Sequence, residues 1–168
     1  MKTDSKKYPE LYQMSDDETA GLHAFIDNTD GDVLEIGMGG STLTLLDLFS
    51  ETDRNLTSID IKDKLAHIRH ELPDDYLKNH TYIQSMSDKV VFHPTRRFET
   101  MFVDGNHDYN WVRNDVIRFW NHVNTYILFH DYSYDFPGVV DFVDELFDVG
   151  FLEHVDQEGT LLLTKKTF

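Results

Sequence analysis

Short apolar runs alternate with stretches whose apolar residues recur every three or four positions, and this alternation sets the predicted elements. Ser15-Asp16-Asp17-Glu18 has capping-box spacing, and Leu22, Phe25 and Ile26 follow at helical intervals, which predicts a helix to Asn28. Val33–Ile36 is an apolar run of strand length, broken by Gly37, Gly39 and Gly40 and followed by a helix-like Ser41–Phe49. Leu56–Asp60 reads as a second strand, Lys62–Glu71 as a helix stopped by Pro73, and Thr81–Gln84 as a third strand that Ser85–Asp88 breaks. Thr100–Asp104 reads as the fourth strand, Trp111–His122 as a helix with Val112, Val116 and Phe119 on one face, and Tyr126–Phe129 as the fifth strand. Pro137-Gly138 opens a helix whose stripe is Val139, Phe142, Val143, Leu146 and Phe147, ended by Gly150. Phe151–Val155 and Thr160–Thr164 form a last hairpin around Glu158-Gly159.

Strands that alternate with helices specify an α/β, doubly wound, mostly parallel sheet with helices on both faces; the closing hairpin adds an antiparallel edge. Residues 1–14 are polar and read as an N-terminal arm, and residues 15–168 as one domain, as the length of 168 residues allows.

In such sheets ligands bind beyond the carboxyl ends of the strands. Those ends carry Glu35-Ile36-Gly37, Asp60, Gln84-Ser85, Asp104 and His130-Asp131, so polar groups gather at every one. The glycine turn lets a ligand approach the main chain, and the helix behind it offers unpaired N–H groups. Asp60 follows at about the twenty-residue distance at which an acid meets ribose hydroxyls. Together these features point to a nucleotide-type cofactor. A dinucleotide fingerprint asks for a third glycine where this chain has Thr42, which weighs against nicotinamide cofactors.

Composition narrows the choice. The chain has 31 acids, 15 Lys and Arg, a net charge of -16 and no cysteine. Such a field repels polyanions, which argues against nucleic acid as a partner. Without cysteine there is no disulfide framework and no thiolate nucleophile or ligand. No apolar run approaches membrane-spanning length, and the first residues lack the apolar block of a signal peptide, so a cytoplasmic protein with no membrane partner is expected. Arg96-Arg97 reads as a solvated loop or as a contact to an anionic acceptor. The 12 Phe and 8 Tyr leave room for a homo-oligomer contact.

Glu35-Ile36-Gly37-Met38-Gly39-Gly40-Ser41, Asp60 and the βα order with its terminal hairpin resemble a class I S-adenosylmethionine-dependent methyltransferase over about residues 30–165. The resemblance implies a seven-stranded Rossmann-like sheet. It implies that Gly37, Gly39, Gly40 and Ser41 cradle the methionine end of the cofactor and that Glu35 holds that end directly or through water. Asp60 would take the ribose hydroxyls, Ile61 would touch the adenine, and Ser87, with Asp88 beside it, would meet the adenine edge.

Phe102-Val103-Asp104-Gly105-Asn106-His107-Asp108-Tyr109 and Phe129-His130-Asp131-Tyr132, followed by Pro137-Gly138-Val139, are similar to a metal-dependent group of these enzymes. That group includes O-methyltransferases of macrolide sugars and, more distantly, catechol-type enzymes. The likeness implies a divalent cation, Mg²⁺ or Mn²⁺, on Asp104, His130 and Asp131, with His107 as general base. The sequence departs from the group at His130, where relatives more often carry an acid. Carboxylates supply hard ligands and leave room for substrate oxygens, and an imidazole ligand shifts preference toward Mn²⁺, Fe²⁺ or Zn²⁺. His107 reads as a base or, alternatively, as a turn histidine or a ligand. The expected activity is methylation of a hydroxyl on a small-molecule acceptor, a sugar or catechol-like diol. The alternatives are a cofactor-binding protein without transferase activity, or one needing a partner to complete its site, and a nicotinamide-dependent reductase.

Overall fold

The computed structural model describes Tyr8, Leu11 and residues 13–168. Seven strands form one sheet in the order β3-β2-β1-β4-β5-β7-β6. They are β1 (Val33–Ile36), β2 (Leu56–Asp60), β3 (His80–Gln84), β4 (Phe98–Val103), β5 (Val123–Phe129), β6 (Leu152–Glu158) and β7 (Leu161–Lys166). The first five run parallel, and β7 pairs antiparallel with both β5 and β6. The chain order reverses between β1 and β4, which opens a crevice at their carboxyl ends.

Helices α1 (Asp16–Asp27) and α2 (Gly40–Phe49) cover one face, and α4 (Tyr109–Phe119) and α5 (Pro137–Asp148) cover the other; the short α3 (Asp74–Leu77) follows Pro73. Alternation along the strands sorts the core between them. Val33, Phe102 and Leu128 pack with Leu22, Leu43 and Phe49 of α1 and α2. Leu34, Met101 and Ile127 pack with Val116, Phe119 and Phe142 of α4 and α5. The capping box at Ser15 forms as its spacing predicts. Tyr8 and Leu11, from the stretch read as an arm, are buried in the α1–α2 face; the remainder of residues 1–12 lies outside the described residues.

The segment 62–71 departs from expectation. It makes tight turns closed by i→i+3 bonds and one 3₁₀ turn at Arg69–Glu71. The Asp63 carboxylate accepts the backbone N–H of Leu65 at 3.1 Å and pairs with Arg69 at 2.9 Å. A short acidic side chain that satisfies the backbone this way competes with a continuous helix.

Candidate active site

The glycine turn is held from three sides. Gly37 has φ +87°, and a Cβ there would stand 2.0 Å from the carbonyl oxygen of Asp104. Only glycine lets the ends of β1 and β4 close so tightly. Asp60 at the tip of β2 accepts the N–H of Met38 at 2.9 Å and of Lys62 at 2.8 Å, pinning the turn from the side.

From beneath, Glu35 holds the turn through α2. Its place in β1 points its side chain toward α2, and it is completely buried. Ser58 Oγ donates to it at 2.6 Å and Ser41 Oγ at 2.9 Å, while Thr42 Oγ1 lies 3.0 and 3.1 Å from its two oxygens and accepts the N–H of Gly39 at 3.0 Å. Burial pushes its carboxyl up to about 8, against these hydroxyls. Glu35 shapes the loop and is not among the residues that line the cavity above it. Gly39, Gly40 and Ser41 are likewise buried and absent from the wall.

A cavity of about 810 Å³ opens over the crevice, within the range of small-molecule sites. Gly37, Asp60, Ile61, Ser87, Asp104, His107, His130 and Asp131 all line it, so four of the eight predicted cofactor residues and the whole predicted catalytic and metal set come together. Four of its lining residues, Asp60, Asp104, Asp115 and Asp131, are carboxylic acids, a surrounding that favours a cation. Arg96 and Arg97 precede β4 and so sit at the opposite end of the sheet, where Arg96 pairs with Asp32 at 2.8 Å.

The tips of β4 and β5 build the reactive end. Asp104 Oδ1 and Asp131 Oδ2 lie 3.4 and 3.1 Å from His130 Nδ1, and 4.0 and 2.9 Å from His107 Nε2. Neither imidazole satisfies its buried nitrogens with a well-formed hydrogen bond: His107 Nε2 and both ring nitrogens of His130 stand without one. The Asp104 and Asp131 carboxylates beside His107 push it up to about 9. Burial would lower His130, but the same two acids outweigh it and push it up to about 10. Burial would raise Asp131; the two imidazoles outweigh that and hold it far below the usual carboxylate range. Asp131 also has φ +59°, a left-handed conformation that costs a non-glycine residue strain and is concentrated at functional sites.

Packing fixes the two histidines. His107 packs against Phe136 with ring centroids 4.5 Å apart and the ring planes tilted by 60°. A Cβ on Gly138 would stand 2.4 Å from the His107 carbonyl, so α5 starts directly against the turn that carries this imidazole. Behind His130, Glu18 Oε2 lies 3.7 Å from Nε2. Glu18 also accepts Ser15 N at 2.9 Å, Thr160 N at 2.9 Å and Thr160 Oγ1 at 2.6 Å, joining α1 to the terminal hairpin. Burial would raise its carboxyl, but the Thr160 and Ser15 hydrogen bonds outweigh burial and lower it to about 2. Sequence reading found Glu18 only as a cap; nothing local marks its long-range role. Gln13, Met14, Trp111, Asp115 and Phe136 also line the cavity and were not singled out as site residues. Trp111 and Asp115 lie one turn apart on α4, along the flank of the Val112–Val116 core stripe, a spacing that could have flagged them.

Comparison with known proteins agrees with this geometry. A family model described as a methyltransferase domain matches residues 34–132, and the chain belongs to that family. It is an S-adenosylmethionine-dependent methyltransferase. A Staphylococcus aureus protein described as a caffeoyl-CoA O-methyltransferase superposes with TM-score 0.73 at 12% identity, over 95% of this chain and 88% of its own. A Klebsiella pneumoniae protein described as an O-methyltransferase gives 0.72 at 16% identity, over 98% and 87%. The glycopeptide N-methyltransferase MtfA, solved with S-adenosylmethionine, gives 0.64 at 16% identity, over 94% and 89%. At these identities the likeness is one of fold, and the fold serves both oxygen and nitrogen acceptors. No curated protein sequence matches the chain. Among the described residues no helix is long and apolar enough to cross a membrane.

Proposed function

We propose that the protein methylates a hydroxyl of a small molecule bearing a second oxygen nearby, such as a sugar or catechol-like diol, with help from a divalent cation. The observation that carries this reading is the convergence of Asp104, His107, His130 and Asp131 at one end of a cavity whose other end suits a nucleoside. The donor set fits a cation. Asp104, His107 and Asp131 each offer a ligand atom within 4.8 Å of the others, and three buried imidazole nitrogens there lack a hydrogen bond. In the favoured arrangement Asp104, His130 and Asp131 hold the ion, and His107 is left to the acceptor. When bound, the cation would orient the acceptor's oxygens and ease loss of a hydroxyl proton.

The chain's own residues supply the rest. Asp60 keeps the N–H groups of Met38 and Lys62 and takes the ribose hydroxyls on its remaining lone pairs, and the carboxylates of the wall favour the sulfonium. Engagement of Asp104 and Asp131 by the cation would relieve their upward pull on His107, and its Nε2, then neutral, takes the acceptor's proton as the oxygen attacks the methyl carbon in line with the departing sulfur. Phe136, packed against His107, gives the acceptor's side an apolar wall. A second arrangement, favoured by the mutual closeness of Asp104, His107 and Asp131, uses His107 as the third ligand. Transfer of a labelled methyl group to a panel of diols, with and without chelator, tests the proposal. Chelator-sensitive transfer is expected, and chelator-resistant transfer contradicts it.

A further inference from the structure

At the end of the cavity away from the acid–histidine cluster, the wall changes character. Ile61 is 60% exposed and Met86 41% exposed, and Trp111 of α4 lines the same cavity. Apolar side chains left open around a slot suit the faces of a flat base. With the sulfonium at the acids and the ribose at Asp60, the adenine comes to this slot.

Into the slot α4 presents Asp115, which is only 3% exposed yet lines the cavity. Ser87 Oγ donates to its Oδ1. Its Oδ2 makes no hydrogen bond among the described residues and lies 3.3 Å from where a side chain on Gly105 would begin. Any larger residue at Gly105 would crowd that oxygen. A buried acid with one hydroxyl partner and no cation is costly unless a ligand completes it. Burial pushes it up to about 6, so near neutrality it remains largely an acceptor. Asp88, the acid next to Ser87, does not line the cavity, and its Oδ1 is buried away from it.

We propose that Asp115, steadied by Ser87, accepts the exocyclic amino group of the cofactor's adenine and sets the nucleobase specificity of the cavity. The proposal rests on the methyltransferase reading of the cavity. A 6-oxo base in the same place would turn a lone pair toward the carboxylate, and a buried polar group left unpaired discriminates strongly.

Calorimetry with S-adenosylhomocysteine and its deaminated analogue, S-inosylhomocysteine, tests it. The unmodified protein should prefer the adenine form by at least about tenfold. Asp115→Asn, checked for an unchanged unfolding midpoint, should lose most of that preference, because an amide can donate to the 6-oxo group. Should this variant not fold, the preference of the unmodified protein still decides, since equal affinity for the two ligands overturns the proposal. A folded Asp115→Asn that keeps the original preference overturns it too. If neither nucleoside binds the unmodified protein, the cofactor assignment fails as well, which separates the two failures.

Discussion

The Nε2 atom of His107 lies 2.9 Å from Oδ2 of Asp131, joining the turn after β4 to the tip of β5. This pairing sets the two roles open to His107. As a base, its Nε2 gives up this contact to take the acceptor's proton, and packing against Phe136 holds the ring. As a ligand, it gives Nε2 to the cation. His107→Ala separates them. We expect Mn²⁺ affinity within about threefold of the parent and turnover reduced by about 10²-fold or more. Loss of Mn²⁺ binding in this variant, read by electron paramagnetic resonance, would assign the residue to the ion instead.

Asp60 carries the nucleoside and the loop at once. Asp60→Ala removes the acceptor for ribose hydroxyls and for the N–H groups of Met38 and Lys62. Affinity for S-adenosylhomocysteine should fall by at least about tenfold, from hydrogen bonds to a charged group that go unmade. Unchanged affinity by calorimetry would refute the ribose assignment.

The buried Glu35 and the half-buried His80 give stability a dependence on pH with opposite signs. The folded state raises Glu35 from 4.5 to about 8, so it binds more protons than the unfolded chain in that interval. That contribution is fully present below 4.5 and is lost as pH rises through 8. His80, whose Nε2 lies 3.0 Å from Ser58 Oγ, is lowered from 6.5 to about 4 by burial. Its contribution is present above 6.5 and is lost as pH falls through 4. Glu35→Gln should therefore flatten the alkaline side of the stability profile, and His80→Gln the acidic side. Urea midpoints across pH 4–9 check both, and an alkaline limb unchanged in Glu35→Gln would remove Glu35 from the account.

Most of the fold was legible because its signals are local. The capping box at Ser15, the helical stripe from Val139 and the Glu158-Gly159 turn each declare an element within a few residues. The segment after Asp60 was not, because the Asp63 carboxylate competes with a helix in a way that apolar spacing does not reveal. The site shows the same division. Asp60, Asp104, His107, His130 and Asp131 follow strands, where the architecture assigns ligands, and the structure gathers them in one cavity. Glu35 occupies a strand end too, but pleat alternation turns it toward α2, and its hydroxyl partners come from two separate places in the chain, Ser41-Thr42 and Ser58. Asp115 and Glu18 lie on helices, where an acid more often faces water, and only tertiary packing carries them to the cavity and to His130.

The most direct test of the central claim is a titration of the protein with Mn²⁺ in the presence of S-adenosylhomocysteine, followed by electron paramagnetic resonance and repeated with Asp131→Asn. One tightly held ion is expected in the parent, with a loss of at least about tenfold in its affinity in the variant and unchanged affinity for the nucleoside in both. An ion bound equally well by the variant, or no ion bound by the parent, would contradict it.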